Sequence, residues 1–459
     1  MNREEKIFSW MFKDKKLYKN LLKVALPIVI QNFIASSLNM VDTLMIGKVG
    51  EKEIAAVGIA NQYFFLFNLF IIGIYAGCGV FIAQFWGKED RDNIKKVVGF
   101  GNFMGVAISI VFTVIAYFCA YGIISLFNKE TIVIELGIRY LKVVCFSYIF
   151  TAISFNYSTA LRAIHNAVPP MVVSAFAIVC NMFFNYMFIF GNFGAPTMGV
   201  EGAALATLIA RVFECIVLIL YVYYKNNVIN AKIRDMLNFN VEFILNIFKT
   251  VVPVVLNEAC WGIGTIVYSI IYGRISTEAL ASVQICTTVQ NLFMVVIFGI
   301  AGASTVLIGN KVGAGLMDEA KDDAIRISIL SCLIGIVIAI LLSSTSGYIL
   351  SFFNVSQEVK YTSKIILYVV SIILIIRVFN ITCIVGLLRG GGDTGYSLKL
   401  EAITMWLIGV PLAFIGAFII KLPVQYVVAL VTVEEIIKSI FCFKRLRSDK
   451  WIKNIIENM

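Results

Sequence analysis

The chain repeats itself, and both copies are too apolar for water. Displaced by about 226 residues, its first half overlays its second: Pro27 falls on Pro253, Gly73 on Gly299 and Gly87 on Gly313. At an offset of about 227, Leu161-Arg162-Ala163 falls on Leu388-Arg389-Gly390. The chain is 60% hydrophobic and only 14% charged, against about 25% charged in a soluble domain. Apolar surface on this scale faces lipid. Backbone polar groups in lipid must be satisfied internally, so the expected fold is all-α integral membrane, its spans about 20 residues each. A duplicated membrane bundle is a common plan for moving a solute across a bilayer.

Hydropathy predicts twelve transmembrane helices, at 24–46, 54–84, 97–118, 132–155, 170–190, 199–224, 247–271, 279–309, 324–345, 362–388, 398–420 and 424–443. They divide into an amino-terminal six-helix lobe at 24–224 and a carboxy-terminal one at 247–443, joined by a polar linker at 225–246. The second and eighth spans are long and carry glycines in their second halves, which predicts bending or tilt. Six is an even number, so the two bundles share one orientation and form a parallel repeat about an axis along the membrane normal. Of the 38 Lys and Arg residues, 26 fall in loops, tails and adjoining span ends on the side of the amino terminus and six on the other. The positive-inside rule then places both termini in the cytoplasm of a cell-membrane protein. Residues 1–23 mix aromatics with lysines, and 5–22 are expected to form an amphipathic helix on the inner surface. Residues 444–459 form a basic cytoplasmic tail.

Composition also excludes. The net charge of +10 sits mostly in short membrane-flanking loops, so it signals topology and not nucleic acid. Ten cysteines are scattered through apolar stretches without CxxC spacing and read as small core residues. The one histidine, His165, leaves no histidine cluster for a metal and little for acid–base chemistry. No cofactor, no metal centre and no enzyme activity are expected. A membrane-embedded acyltransferase would need His, Asp or Ser constellations that this chain does not supply.

Charges within spans are few, and such groups are usually kept for function. Asp42, in SLNMVDTLMIG, shares a helical face with Leu38 and Asn39. It can cap a helix end at the interface, or bind a proton or sodium ion. Desolvation favours the neutral form of a carboxyl, which is what lets such a group load and release protons. Asn181 and Asn185 lie four apart and point one way. Their amides suit either interhelical bonding or a cation site completed by Asp42. Glu258 in the seventh span falls on Asn32 of the first repeat, whereas Asp42 falls on Tyr268. Each leading helix thus holds one acid, at a non-equivalent place. Arg377, with Asn380 close by, is expected to pair with Glu258 or with a carboxylate-bearing ligand, or to form a structural ion pair. Glu258, Arg377, Asn380 and Asn32 together form the candidate substrate or second-proton site. Arg211 and Glu214 are spaced to pair, as are Glu434, Glu435 and Lys438; Glu401 is expected to be solvated.

The stretches VDTLMIGKVGEKEIAAVGIANQ, LRAIHNAVPPM, NMFFNYMFIFGNFGAPTMGVEG and LRGGGDTGYS together resemble the MATE (multidrug and toxic-compound extrusion) family over about residues 20–443. The resemblance implies two six-helix lobes in a V around a central cavity, and export of organic cations driven by inward proton or sodium flow. It implies that Asp42, the acid of the VDT motif, is a coupling site with Asn181 beside it. Asn185 stands where some members have an acid, and no acid lies in the tenth span near Arg377 and Val378. Substrates are expected to be cationic or amphipathic small molecules, handled by a monomer among membrane lipids. The alternative is a lipid-linked precursor flippase, which would favour several cavity arginines for a diphosphate. A channel fits duplicated, sparsely charged lobes less well.

Overall fold

A computed structural model describes residues 14–225, 228–236, 240–353, 355–457 and 459; residues 5–13 of the expected surface helix lie outside this range. Among the described residues there is no strand. The long helices are α1 (Lys15–Gly47), α2 (Glu51–Gly87), α3 (Arg91–Phe118), α4 (Thr131–Val144), α5 (Ser147–Ala163), α6 (Val168–Phe190), α7 (Val200–Tyr224), α8 (Val241–Ile275), α9 (Thr277–Gly313), α10 (Met317–Ser351), α11 (Gln357–Ile381), α12 (Thr394–Thr404) and α13 (Val424–Arg447). Ten of the described helices are long and apolar enough to cross a membrane. The fourth and twelfth expected spans add α4 with α5, and α13.

Two expectations change. Residues 15–22 do not form a separate surface helix but continue into α1. Leu17, Leu21, Val24, Ala25 and Ile28 are all buried, so one apolar stripe runs from before the span into it. Asp14 begins the helix by accepting from the backbone N–H groups of Lys16 and Leu17. The fourth span is broken at Cys145 and Phe146 into α4 and α5. The break is held by side chains: Ser147 donates to the Val144 carbonyl at 2.6 Å and Thr113 to the Cys145 carbonyl at 2.9 Å. Carbonyls freed by a break in lipid need such partners.

The chain divides into two compact units: Ile30–Val251, and Val252–Met459 together with the amino-terminal residues through Val29. Both boundaries fall inside helices, beside the repeat-related Pro27 and Pro253.

In the unit Ile30–Val251, α3 lies tight against its neighbours. A Cβ on Gly101 would sit 2.7 Å from Asn156 Oδ1 of α5. Asn156 uses that approach to donate to the Val98 carbonyl and to Asn102, both at 2.8 Å. This asparagine is interhelical glue, worth on the order of 1 kcal/mol in a bilayer. Phe67 of α2 stacks on Tyr148 of α5 at 4.8 Å.

In the other unit, α9 packs on the start of α1, where a Cβ on Gly299 would meet Val29. After α11 the backbone widens to a π-helical turn, Thr382–Leu388. Thr305 of α9 donates to the Val385 carbonyl within it at 2.7 Å. Further π-helical turns, Met405–Gly409 and Ile415–Ile419, interrupt the continuation of α12, and such turns often mark functional places. Beyond α13 the tail folds back. Trp451 is buried to 1% exposure against Gly391, and the Lys453 N–H donates to the Gly391 carbonyl at 2.6 Å. Asp393, also buried, takes ion pairs from Arg445 at 2.7 Å and Lys453 at 2.6 Å.

Candidate functional site

A cavity of about 640 Å³ opens inside the unit Ile30–Val251, bounded by residues of α1, α2, α4, α5, α6 and α7. Small polar side chains line its α5 wall: Ser147, Thr151, Ser154 and Ser158, with Phe155 and Arg162 on the same face. Their three- and four-residue spacing keeps them on one side of the helix. From Ser147 to Arg162 that wall runs about 22 Å at 1.5 Å per residue.

Asp42 lies at one end. Asn185 Nδ2 donates to Asp42 Oδ1 at 2.6 Å and to Asn181 Oδ1 at 3.1 Å. Asn181 in turn donates to Thr207 of α7 at 3.4 Å. Asn181 and Asn185 are buried, at 3% and 1% exposure. With its amide hydrogens so used, the Asn185 Oδ1 is buried without a hydrogen-bond partner. The structure therefore brings Asp42, Asn181 and Asn185 into one network, rich in oxygen acceptors, at the wall of a cavity. The side chains of Leu38 and Asn39, expected on the Asp42 face, lie outside the described residues.

The other end is charged differently. Glu214 accepts from Arg211 at 2.8 Å, the expected i,i+3 pair, and from the Ser174 hydroxyl at 2.6 Å. Gln31 donates to Ser174 at 2.8 Å. Asn32 and Arg162 line the same cavity. Arg162, between the expected fourth and fifth spans, lies in the last turn of α5.

The other candidate residues separate. Asn32 belongs to this cavity, while Glu258, Arg377 and Asn380 lie in the unit with the carboxy terminus, in two different clusters. Glu258 pairs with Arg389 at 2.7 Å, and Arg389 also donates to Asn257. Arg377 lies 3.7 Å from Glu435, and Asn380 donates to the Glu435 carboxylate at 2.7 Å. The expected Arg377–Glu258 pair is thus replaced by two pairs with other helices. Glu401 is buried and not solvated: Lys438 donates to it at 3.0 Å and to Glu434 at 2.9 Å, while Tyr268 donates to Glu434 at 2.7 Å. The i,i+4 spacing of Glu434 and Lys438 showed one of these contacts, and nothing local showed the other. Among the described residues no group of three or more His, Cys, Asp or Glu is arranged to hold a metal ion.

Compared with known protein families, residues 27–187 and 253–415 both match the MatE family model, once in each repeat. The chain belongs to the MatE family. MatE relatives include the "uncharacterized transporter YisQ" of Bacillus subtilis, 25% identical over 96% of this chain and 98% of that protein. They also include a "probable multidrug resistance protein NorM" of Thermotoga maritima, 25% identical over 87% of this chain and 86% of that one. Among solved structures, an outward-facing multidrug resistance MATE family transporter of the MOP superfamily superposes with a TM-score of 0.87 at 18% identity, covering 96% of this chain and 97% of that one. A MOP superfamily transporter from Pyrococcus furiosus, whose binding pocket is described as reversed in polarity, gives 0.85 at 18% identity, covering 94% and 95%. The MatE fold and a multi-pass membrane protein with a transporter role follow from these matches and the apolar helices.

Proposed function

We propose that this MatE protein is a secondary active antiporter that exports organic cations or other amphipathic compounds in exchange for H+ or Na+. The observation that carries this reading is the Asp42–Asn185–Asn181 network on the cavity wall, with an unpartnered amide oxygen beside the carboxylate. A carboxylate and amide oxygens suit a hard cation, and a carboxylate in a desolvated place suits a proton. Binding of the coupling ion there stabilises one arrangement of the transporter over another, and a ligand shifts such an equilibrium only by its differential affinity. The names of the NorM relatives support drug-like substrates. The protein works in the cell membrane as a monomer with both termini cytoplasmic, an orientation supported by the bias of Lys and Arg.

The flippase reading draws less support. Two arginines, Arg162 and Arg211, line the cavity, and Glu214 neutralises the second. A diphosphate asks for more free positive charge than that.

The test is ethidium transport in proteoliposomes under a pH gradient or a sodium gradient imposed separately. Transport driven by one gradient names the coupling ion. Transport by neither, with both gradients verified, overturns the antiporter.

A further inference from the structure

The two halves differ in how they treat one repeated arginine. In the second repeat Arg389, at the end of the π-helical turn, is held by Glu258 and Asn257 of α8. Shifted back by the repeat, these three positions are Arg162, Asn32 and Gln31. The arginine is kept and its carboxylate partner has become an amide. The local backbone is kept as well: His165 and Gly392, also repeat-related, both take a left-handed turn just beyond the arginine, with φ of 61° and 85°.

The consequence is an unneutralised guanidinium in a cavity. Arg162 makes no ion pair among the described residues, and its Nε is buried without a hydrogen-bond partner. Glu214 acts on it only through space, because its carboxylate is bound by Arg211 and Ser174. On its own helix the Arg162 guanidinium lies over the Phe155 ring, 5.8 Å from its centroid. Phe155 lines the same cavity. A guanidinium carries five N–H donors in a planar fork that matches a carboxylate. Leaving the buried Nε unfilled is costly, so a ligand that fills it gains.

We propose that Arg162 is an anion subsite of this cavity, taking a carboxylate on the transported solute while the attached aromatic or apolar body lies along Phe155. This rests on the reading of the cavity as the solute path. The cavity then carries charge of opposite sign at its two ends, the Asp42 carboxylate at one and Arg162 at the other. Along α6 the rise from Ser174, bonded to Glu214, to Asn185, bonded to Asp42, is about 16 Å. Solutes bearing a carboxylate as well as a cationic group fit both ends. Asn32 sets this property, since an acid there would close the pair that Glu258 and Arg389 form in the other repeat.

The test needs no ion gradient, which keeps it separate from the antiport assay. The full-length protein in nanodiscs of zwitterionic lipid is titrated with rhodamine 110, a free carboxylic acid, and with its methyl ester, rhodamine 123, followed by fluorescence anisotropy. The wild type should bind the acid about tenfold tighter than the ester, the scale of a charge-assisted hydrogen-bonded contact. Arg162→Gln and Asn32→Glu should each lower acid affinity to that of the ester while ester binding stays within about twofold; Arg162→Lys should keep part of the preference. Retained ester binding reports that a variant is folded. The proposal is overturned if the wild type binds acid no better than ester, a result no folding defect can produce. It is also overturned if Asn32→Glu leaves the preference intact. Loss of the wild-type preference when phosphatidylglycerol is added would assign Arg162 to a lipid phosphate instead of a solute, and overturns it too.

Discussion

The Glu258 carboxylate lies 2.7 Å from the Arg389 guanidinium, joining α8 to the LRGGGD turn, and Arg389 is only 3% exposed. Breaking a buried pair from one side strands the other charge, at about 3–5 kcal/mol, whereas removing both is far cheaper. Glu258→Gln should therefore lower the melting temperature in detergent strongly, and Glu258→Gln with Arg389→Gln should recover most of the loss. Additive losses in the double variant would show that the pair contributes no coupling energy.

Lys438 is the hub of a second buried cluster. It bonds Glu401 and Glu434, and Tyr268 bonds Glu434 in turn. Lys438→Met leaves two buried carboxylates without a counter-ion, and a loss of about 3–5 kcal/mol is expected. Glu401→Gln retains the Lys438–Glu434 pair and should cost less. Equal thermal stability of Lys438→Met and wild type would remove the cluster from the account.

The tail after α13 is anchored by one large side chain. Trp451 is fully buried against Gly391, and a Cβ on Gly391 would stand 2.5 Å from its ring. Trp451→Ala should cost about 3–5 kcal/mol of local stability, and Gly391→Ala should release the tail by steric conflict. Limited proteolysis reads this directly: residues 449–459 should be cleaved faster in both variants. Unchanged cleavage would mean the tail is held by its ion pairs alone.

What could be read from the chain and what could not follows from the range of the signals. Repeat, spans and family motifs are properties of long windows, and they stand in the structure. Asn181 and Asn185 were readable as a pair because four residues make one helical turn, as were Arg211 and Glu214. Asp42 reached the same network through its motif. Partners on other helices were not readable. Arg377 meets Glu435 and not Glu258, and Glu401 meets Lys438, because periodicity gives the face of a helix but not the neighbour that covers it. Arg162 was hidden for another reason. A positive charge at the inner end of a span looks like a topology signal, and only the cavity shows where it lies. Its clue was present in the repeat, where Asn32 stands in the place of Glu258.

The central claim is that Asp42, held by Asn185 at 2.6 Å, couples ion entry to solute export. Asp42→Asn keeps the volume and a hydrogen-bonding group while removing the titratable charge. The measurement is ethidium movement in proteoliposomes in two modes: driven by the effective ion gradient, and as ethidium–ethidium exchange without one. The account predicts that Asp42→Asn loses gradient-driven accumulation while exchange persists. Full gradient-driven transport by Asp42→Asn would contradict it.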